Sequence, residues 1–185
     1  MDLYSIITFF LSVIYVVLIA KGKRWGFPFA FIASVIWAYT DFTIYDLKFD
    51  GFLQIFYAFM AIYGWIKWSA KDAERKDVFY LTFVQILIIV ISNLILSIIM
   101  VSILSHYTTT HLAYLDAITT AFSIVATILL IYKYIESWII LLICNLLYVY
   151  IYNAQEAYAY VLMMVIYSMM AIYGFKSWKN FIANQ

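Results

Sequence analysis

Trp138, Leu141, Asn145, Tyr148 and Tyr152 follow one another at spacings of three, four, three and four residues. On a helix that rhythm sets an indole, an amide and two phenols on one face. Flat rings stack on indole and phenol faces, a cation gains from the π-electrons, and an amide reads ring nitrogens or hydroxyls. The chemistry on offer is recognition of a flat, neutral or cationic heterocycle. Other stretches repeat the theme. Asp116, Thr120, Ser123 and Thr127 form a polar stripe at similar spacing, and Gln54, Tyr57, Ala61 and Trp65 share a face. Ser34, Trp37 and Asp41 share another, while Gln85 and the neighbours Ser92 and Asn93 interrupt a long apolar run.

The residues expected to touch a substrate are Trp37, Gln54, Tyr57, Asn93, Asp116, Trp138, Asn145 and Tyr148. Asn145 carries the most weight, because it lies between "LLIC" and "LL", where an unpaired amide would be costly in lipid. Interhelical hydrogen bonding is its alternative role. Asp116 either meets substrate or sits solvated at the outer interface, and proton coupling through it is a further alternative. The other hydroxyls of its stripe are expected to be structural, bonding their own backbone or a neighbouring helix. Trp65, Trp68 and Trp178 lie near stretch ends and read as interfacial belt residues. Phosphate and other anions do not fit, because no Lys or Arg lies in the middle of an apolar stretch.

Catalysis finds no support in these residues. His106 and His111 read as loop histidines with no carboxylate or cysteine beside them, so neither a nucleophile–base pair nor a metal site is indicated. No cofactor is called for. A retinal Schiff base would need a lysine in the last stretch, and none occurs over residues 157–175.

The elements that must position these side chains are membrane helices. The 185-residue chain is 68% hydrophobic and 11% charged, far from the roughly 45–50% and 25% of soluble domains. The lone Cys144 lies in an apolar run and has no partner for a disulfide within the chain. A spanning helix needs about 20 apolar residues. Spans are expected over 3–20, 25–45, 51–68, 78–104, 112–132, 137–152 and 157–175. The first reads as a mature span, not a signal peptide. Taken alternately, one side holds Lys21, Lys23, Arg24, Lys67, Lys71, Arg75, Lys76, Lys133, Lys176 and Lys179, and the other only Lys48. That bias predicts an outer N-terminus and a cytoplasmic C-terminus. The outer side would carry Asp41, Asp46, Asp50, His106, His111 and Glu156.

One phrase occurs twice: "QIFYAFMAIYGWIKW" ending at Trp68 aligns with "MVIYSMMAIYGFKSW" ending at Trp178. Extending backwards with a three-residue gap pairs Trp25 with Trp138, Trp37 with Tyr150, Tyr39 with Tyr152 and Phe9 with Phe122. Spans one to three thus recur as five to seven, and the fourth span restores their parallel direction. The expected fold is an all-α integral membrane bundle of seven helices in a 3+1+3 parallel repeat, as in the sugar SWEETs. Its parts are a first triplet over 1–70, a linker helix over 71–108 and a second triplet over 109–185. The expected mechanism is alternating access, with one triplet rocking against the other.

The second half, "YLDAITTAFSIVATILLIYKYIESWIILLICNLLYVYIY" with the "YGFKSW" that ends the repeat, resembles the PnuC-type vitamin transporters. The matching features are Asp116, Thr119 and Thr120, Ser123, the run Glu136, Ser137, Trp138, and Asn145 seven residues after that Trp. Gln54, Tyr57 and Gly64 match in the first half. The resemblance implies the same 3+1+3 fold and import of an unphosphorylated vitamin by facilitated diffusion, with a cytoplasmic kinase trapping the product. It carries substrate contacts over to Gln54, Trp138 and Asn145. Nicotinamide riboside members typically have a second Trp three residues after the first, where this chain has Leu141. That departure and the short chain favour the thiamine branch (PnuT-like), with nicotinamide riboside as the alternative. A non-transporting receptor or subunit is the reading from another class. The expected partners are the vitamin, the lipid bilayer of the inner membrane, the kinase and, as an open alternative, further copies of the chain; no nucleic acid is expected.

Overall fold

The structure is a computed structural model that describes residues 3–43, 48–68, 77–104, 106 and 111–184. The described residues form helices α1 (Leu3–Ala20), α2 (Gly26–Thr43), α3 (Lys48–Lys67), α4 (Phe83–Leu104), α5 (His111–Ile131), α6 (Glu136–Ala154) and α7 (Tyr158–Ala183). Helices suit this sequence because each closes its own backbone hydrogen bonds, which lipid cannot do. α1, α4, α5, α6 and α7 are long and apolar enough to cross a membrane. α2 and α3 are less apolar, since Trp37, Tyr39, Thr40 and Asp41 fall in one and Gln54 and Tyr57 in the other. Lys71, Arg75, Lys76 and Asp46 lie outside the described residues, as do the side chains of Lys48, Asp50 and His111.

The chain divides into two compact units, Met1–Lys76 and Asp77–Gln185. In the first, α1 packs on α2 and α2 on α3; in the second, α4 packs on α5, α5 on α6 and α6 on α7.

Several helix boundaries depart from expectation, α3 for instance starting at Lys48 and not at residue 51. His111 opens α5 and does not sit in a loop, and α7 continues to Ala183. α4 starts at Phe83, not at residue 78, because residues 78–82 pair elsewhere. The Phe79 N–H donates to the Lys133 carbonyl at 3.0 Å, and the Ile135 N–H donates to the Phe79 carbonyl at 3.0 Å. The Leu81 N–H donates to Glu136 Oε1 at 3.0 Å, and Gln85 Nε2 to the Tyr134 hydroxyl at 3.1 Å. A reciprocal cap then starts the helix: the Gln85 N–H donates to Thr82 Oγ1 at 3.3 Å, and the Thr82 N–H to Gln85 Oε1 at 2.8 Å.

Each unit contains the same helix-ending turn. Gly22 has φ 70° and Lys133 has φ 62°. The Lys23 N–H reaches back to the Leu18 carbonyl at 2.9 Å, as Tyr134 does to Leu129 at 3.0 Å. Gly22 bonds Ile19 and Lys133 bonds Leu130 in the same way, giving the six-to-one and left-handed pattern that closes a helix end. The two turns lie 111 residues apart, so Phe27 corresponds to Trp138 and Trp37 to Tyr148. Pairing Trp25 with Trp138 is therefore corrected by two positions. The two units also share a packing feature at this register: an added Cβ at Gly64 would meet the Phe27 ring, and one at Gly174 would lie 2.5 Å from the Trp138 ring. Phe27 meets Trp68 edge-on at 5.1 Å, and Trp138 meets Trp178 edge-on at 5.3 Å. Trp68 and Trp178 are consequently buried at 2% and 1% exposure, which corrects their reading as belt residues.

Lys133 holds a left-handed conformation that favours glycine, and burial pulls its amine below the ordinary value while the charge of Asp77 pushes the other way. Gly22→Ala is expected to destabilise the protein by about 1 kcal/mol, and Lys133→Gly to be neutral or stabilising by up to about 1 kcal/mol. Thermal unfolding in a mild detergent checks both.

Candidate substrate site

The second unit assembles part of the expected aromatic and polar face. Thr120 Oγ1 and the Tyr148 hydroxyl share a hydrogen bond at 3.0 Å, tying α5 to α6. The Tyr148 and Tyr152 rings stack at 5.7 Å with 18° between planes, and Tyr160 of α7 adds a tilted ring 5.3 Å from Tyr152. Asn145 is half-buried on α6, three residues before Tyr148. Asp116, also half-buried, lies one turn before Thr120 on α5.

The remaining hydroxyls of α5 behave as expected of Ser and Thr in lipid. Thr119 donates to the Leu115 carbonyl at 2.8 Å, Ser123 to Thr119 at 3.0 Å and Thr127 to Ser123 at 2.8 Å. Cys144 is buried and its thiol faces the Thr119 carbonyl at 3.7 Å.

Trp138 sits at the other end of α6. Seven residues separate it from Asn145, roughly 10 Å along the helix axis. Its ring is 2% exposed, held between Gly174 and Trp178, and its indole N–H has no partner. In this conformation Trp138 is a packing residue with one unmet donor.

On α4 the polar pair separates. Ser92 is exposed, whereas Asn93 is 1% exposed with Oδ1 unpartnered. One turn on, Ser97 is also buried with its hydroxyl unpartnered. The sequence reading did not single out Ser97 or Tyr160; the four-residue step from Asn93 is the signal that points to Ser97.

In the first unit Trp37, Gln54 and Tyr57 are half-buried, with Tyr57 packed 5.6 Å from Phe56. Ser34 and Asp41 are buried on α2, and Thr40 donates to the Trp37 carbonyl at 2.9 Å. A groove of about 260 Å³ between α2 and α3 is lined by Phe31, Val35, Ile55, Phe59 and Ile62, with no side chain able to read a polar ring. Lipid chains suit it; a vitamin does not.

Among the described residues, no three His, Cys, Asp or Glu side chains gather as metal ligands. The side chains on hand are aromatic faces, amides, hydroxyls and carboxylates.

A sequence profile of the family described as Nicotinamide mononucleotide transporter matches residues 2–180. The nicotinamide riboside transporter PnuC of Neisseria mucosa is 26% identical over 184 residues, covering 92% of this chain and 70% of that protein. The nicotinamide riboside transporter PnuC of Escherichia coli (strain K12) is 24% identical over 156 residues, covering 69% of this chain and 65% of that protein. Among solved structures, a crystal structure of the vitamin B3 transporter PnuC superposes with a TM-score of 0.79 at 23% identity, covering 98% of this chain and 82% of that one. That last likeness establishes the fold.

Proposed function

This chain belongs to the nicotinamide mononucleotide transporter family, the PnuC-type vitamin transporters, and from that premise we propose that it carries nicotinamide riboside across the membrane. It is a multi-pass membrane protein of all-helical fold. Thiamine, favoured on Leu141 and chain length, gives way to the riboside, because the similar proteins are riboside transporters. The observation that selects the riboside over the mononucleotide is the placement of charge. Among the described residues, Lys21, Lys23, Arg24 and Lys133 lie in turns, Lys48 and Lys67 at the two ends of α3, and Lys176 and Lys179 in the last third of α7, so a phosphate at mid-helix would find no cation among them. The riboside carries a flat pyridinium and neutral hydroxyls, which suit tyrosine faces and amides.

The proposal extends to the architecture and the route. The doubled turn and the doubled ring-on-glycine packing support the 3+1+3 repeat, and the distribution of Lys and Arg supports an outer N-terminus. Gln54, Asn145, Tyr148 and Asp116 are the leading proposed contacts, and Trp37, Tyr57, Asn93 and Trp138 complete the proposed set. Passage is downhill, and a cytoplasmic kinase retains the product in the cell.

Titrating the purified protein with riboside, mononucleotide and thiamine, followed by heat, tests the reading. Saturable riboside binding with silence toward the mononucleotide is expected. Saturable thiamine binding with a silent riboside would overturn the substrate and leave the family standing.

A further inference from the structure

We propose that the turn joining α1 to α2 is a binding site for the phosphate headgroup of an anionic phospholipid. The two equivalent turns make the argument. In the second unit, residues 78–82 occupy the turn: Phe79 pairs with the backbone of Lys133 and Ile135, and Glu136 accepts the Leu81 N–H. In the first unit the positions that match Tyr132, Lys133, Tyr134, Ile135 and Glu136 are Lys21, Gly22, Lys23, Arg24 and Trp25. Among the described residues, no backbone from outside α1 and α2 hydrogen-bonds to that turn. The acceptor carboxylate of the second turn is replaced by an indole, and three cations stand where the second turn has two tyrosines and an isoleucine.

The side chains are arranged for an anion at a lipid surface. Lys21 and Lys23 are exposed, and among the described residues none of the three cations pairs with a carboxylate. The Arg24 guanidinium lies over the Trp65 ring at 4.7 Å. A guanidinium held over one ring face keeps N–H donors to spare for phosphate oxygens. Trp25 is 61% exposed and meets Trp65 edge-on at 5.0 Å. An exposed indole at the end of a spanning helix belongs at headgroup depth, beside acyl chains. Cation count, an arginine held at the surface by Trp65 and an exposed indole together select a lipid phosphate over a soluble one. The inference holds whichever vitamin the protein carries.

The full chain in neutral detergent, mixed with dioleoylphosphatidylglycerol or dioleoylphosphatidylcholine and read by native mass spectrometry, provides the test. Wild type is expected to retain phosphatidylglycerol preferentially. Lys23→Gln with Arg24→Gln should weaken that retention roughly tenfold or more. Lys176→Gln with Lys179→Gln removes the same charge from the end of α7 and should leave it unchanged. Three results would overturn the proposal: unchanged retention in the Lys23/Arg24 variant, equal loss in the Lys176/Lys179 variant, or equal displacement of the lipid by inorganic phosphate.

Discussion

Gly64→Ala lowers the thermal unfolding midpoint, and Phe27→Ala in the same chain gives part of the loss back. The new methyl would begin inside any permissible contact with a ring carbon of Phe27. Phe27 has no room to retreat, since it is 2% exposed and its far side meets Trp68 at 5.1 Å. Overpacking of this kind costs about 1–3 kcal/mol. Gly174→Ala is the matching experiment in the second unit, with the Trp138 ring 2.5 Å from the added carbon. Each pair forms a double-mutant cycle. If the glycine and ring substitutions simply add, the ring does not press on the glycine.

Asn145→Leu raises the dissociation constant for riboside by roughly 5- to 150-fold, as expected for about 1–3 kcal/mol from a ligand polar group left unpaired. Asn145 is half-buried within α6, and the variant keeps the side chain's bulk, so the unfolding midpoint is expected to hold. Calorimetric titration of both proteins decides the matter. An unchanged affinity in a folded Asn145→Leu protein removes the residue from the site.

Seven helices could be read from the chain because lipid leaves few other ways to satisfy a backbone, and apolar runs separated by charges mark them plainly. The register between the two similar turns was harder. Matching Trp25 to Trp138 follows residue identity, but the shared physical role is an aromatic ring lying on a glycine, which Phe27 fills in the first unit. Residues 78–82 are apolar and border an apolar run, and such runs do not distinguish extended from helical backbone. Their partner lies more than fifty positions away, beyond any local pattern. Trp68 and Trp178 carried a usable sign of burial, namely a glycine four residues earlier that opens space for a ring. Helical spacing places Trp138 and Asn145 on one face, yet it does not say that a neighbouring indole already covers the first of them.

The bond from Leu81 to Glu136 joins positions 55 residues apart and brings with it an order of events at the ribosome. α4 emerges and can enter the bilayer while its leading segment has nothing to grip, because the turn that receives it has not been made. α5 must follow, and then the first residues of α6. Only when residues 133–136 have left the exit tunnel can Phe79 and Leu81 be tied down, so the start of the second unit is fastened by residues made more than fifty positions later. A chain stopped short of residue 133 would hold α4 by its packing on α5 alone.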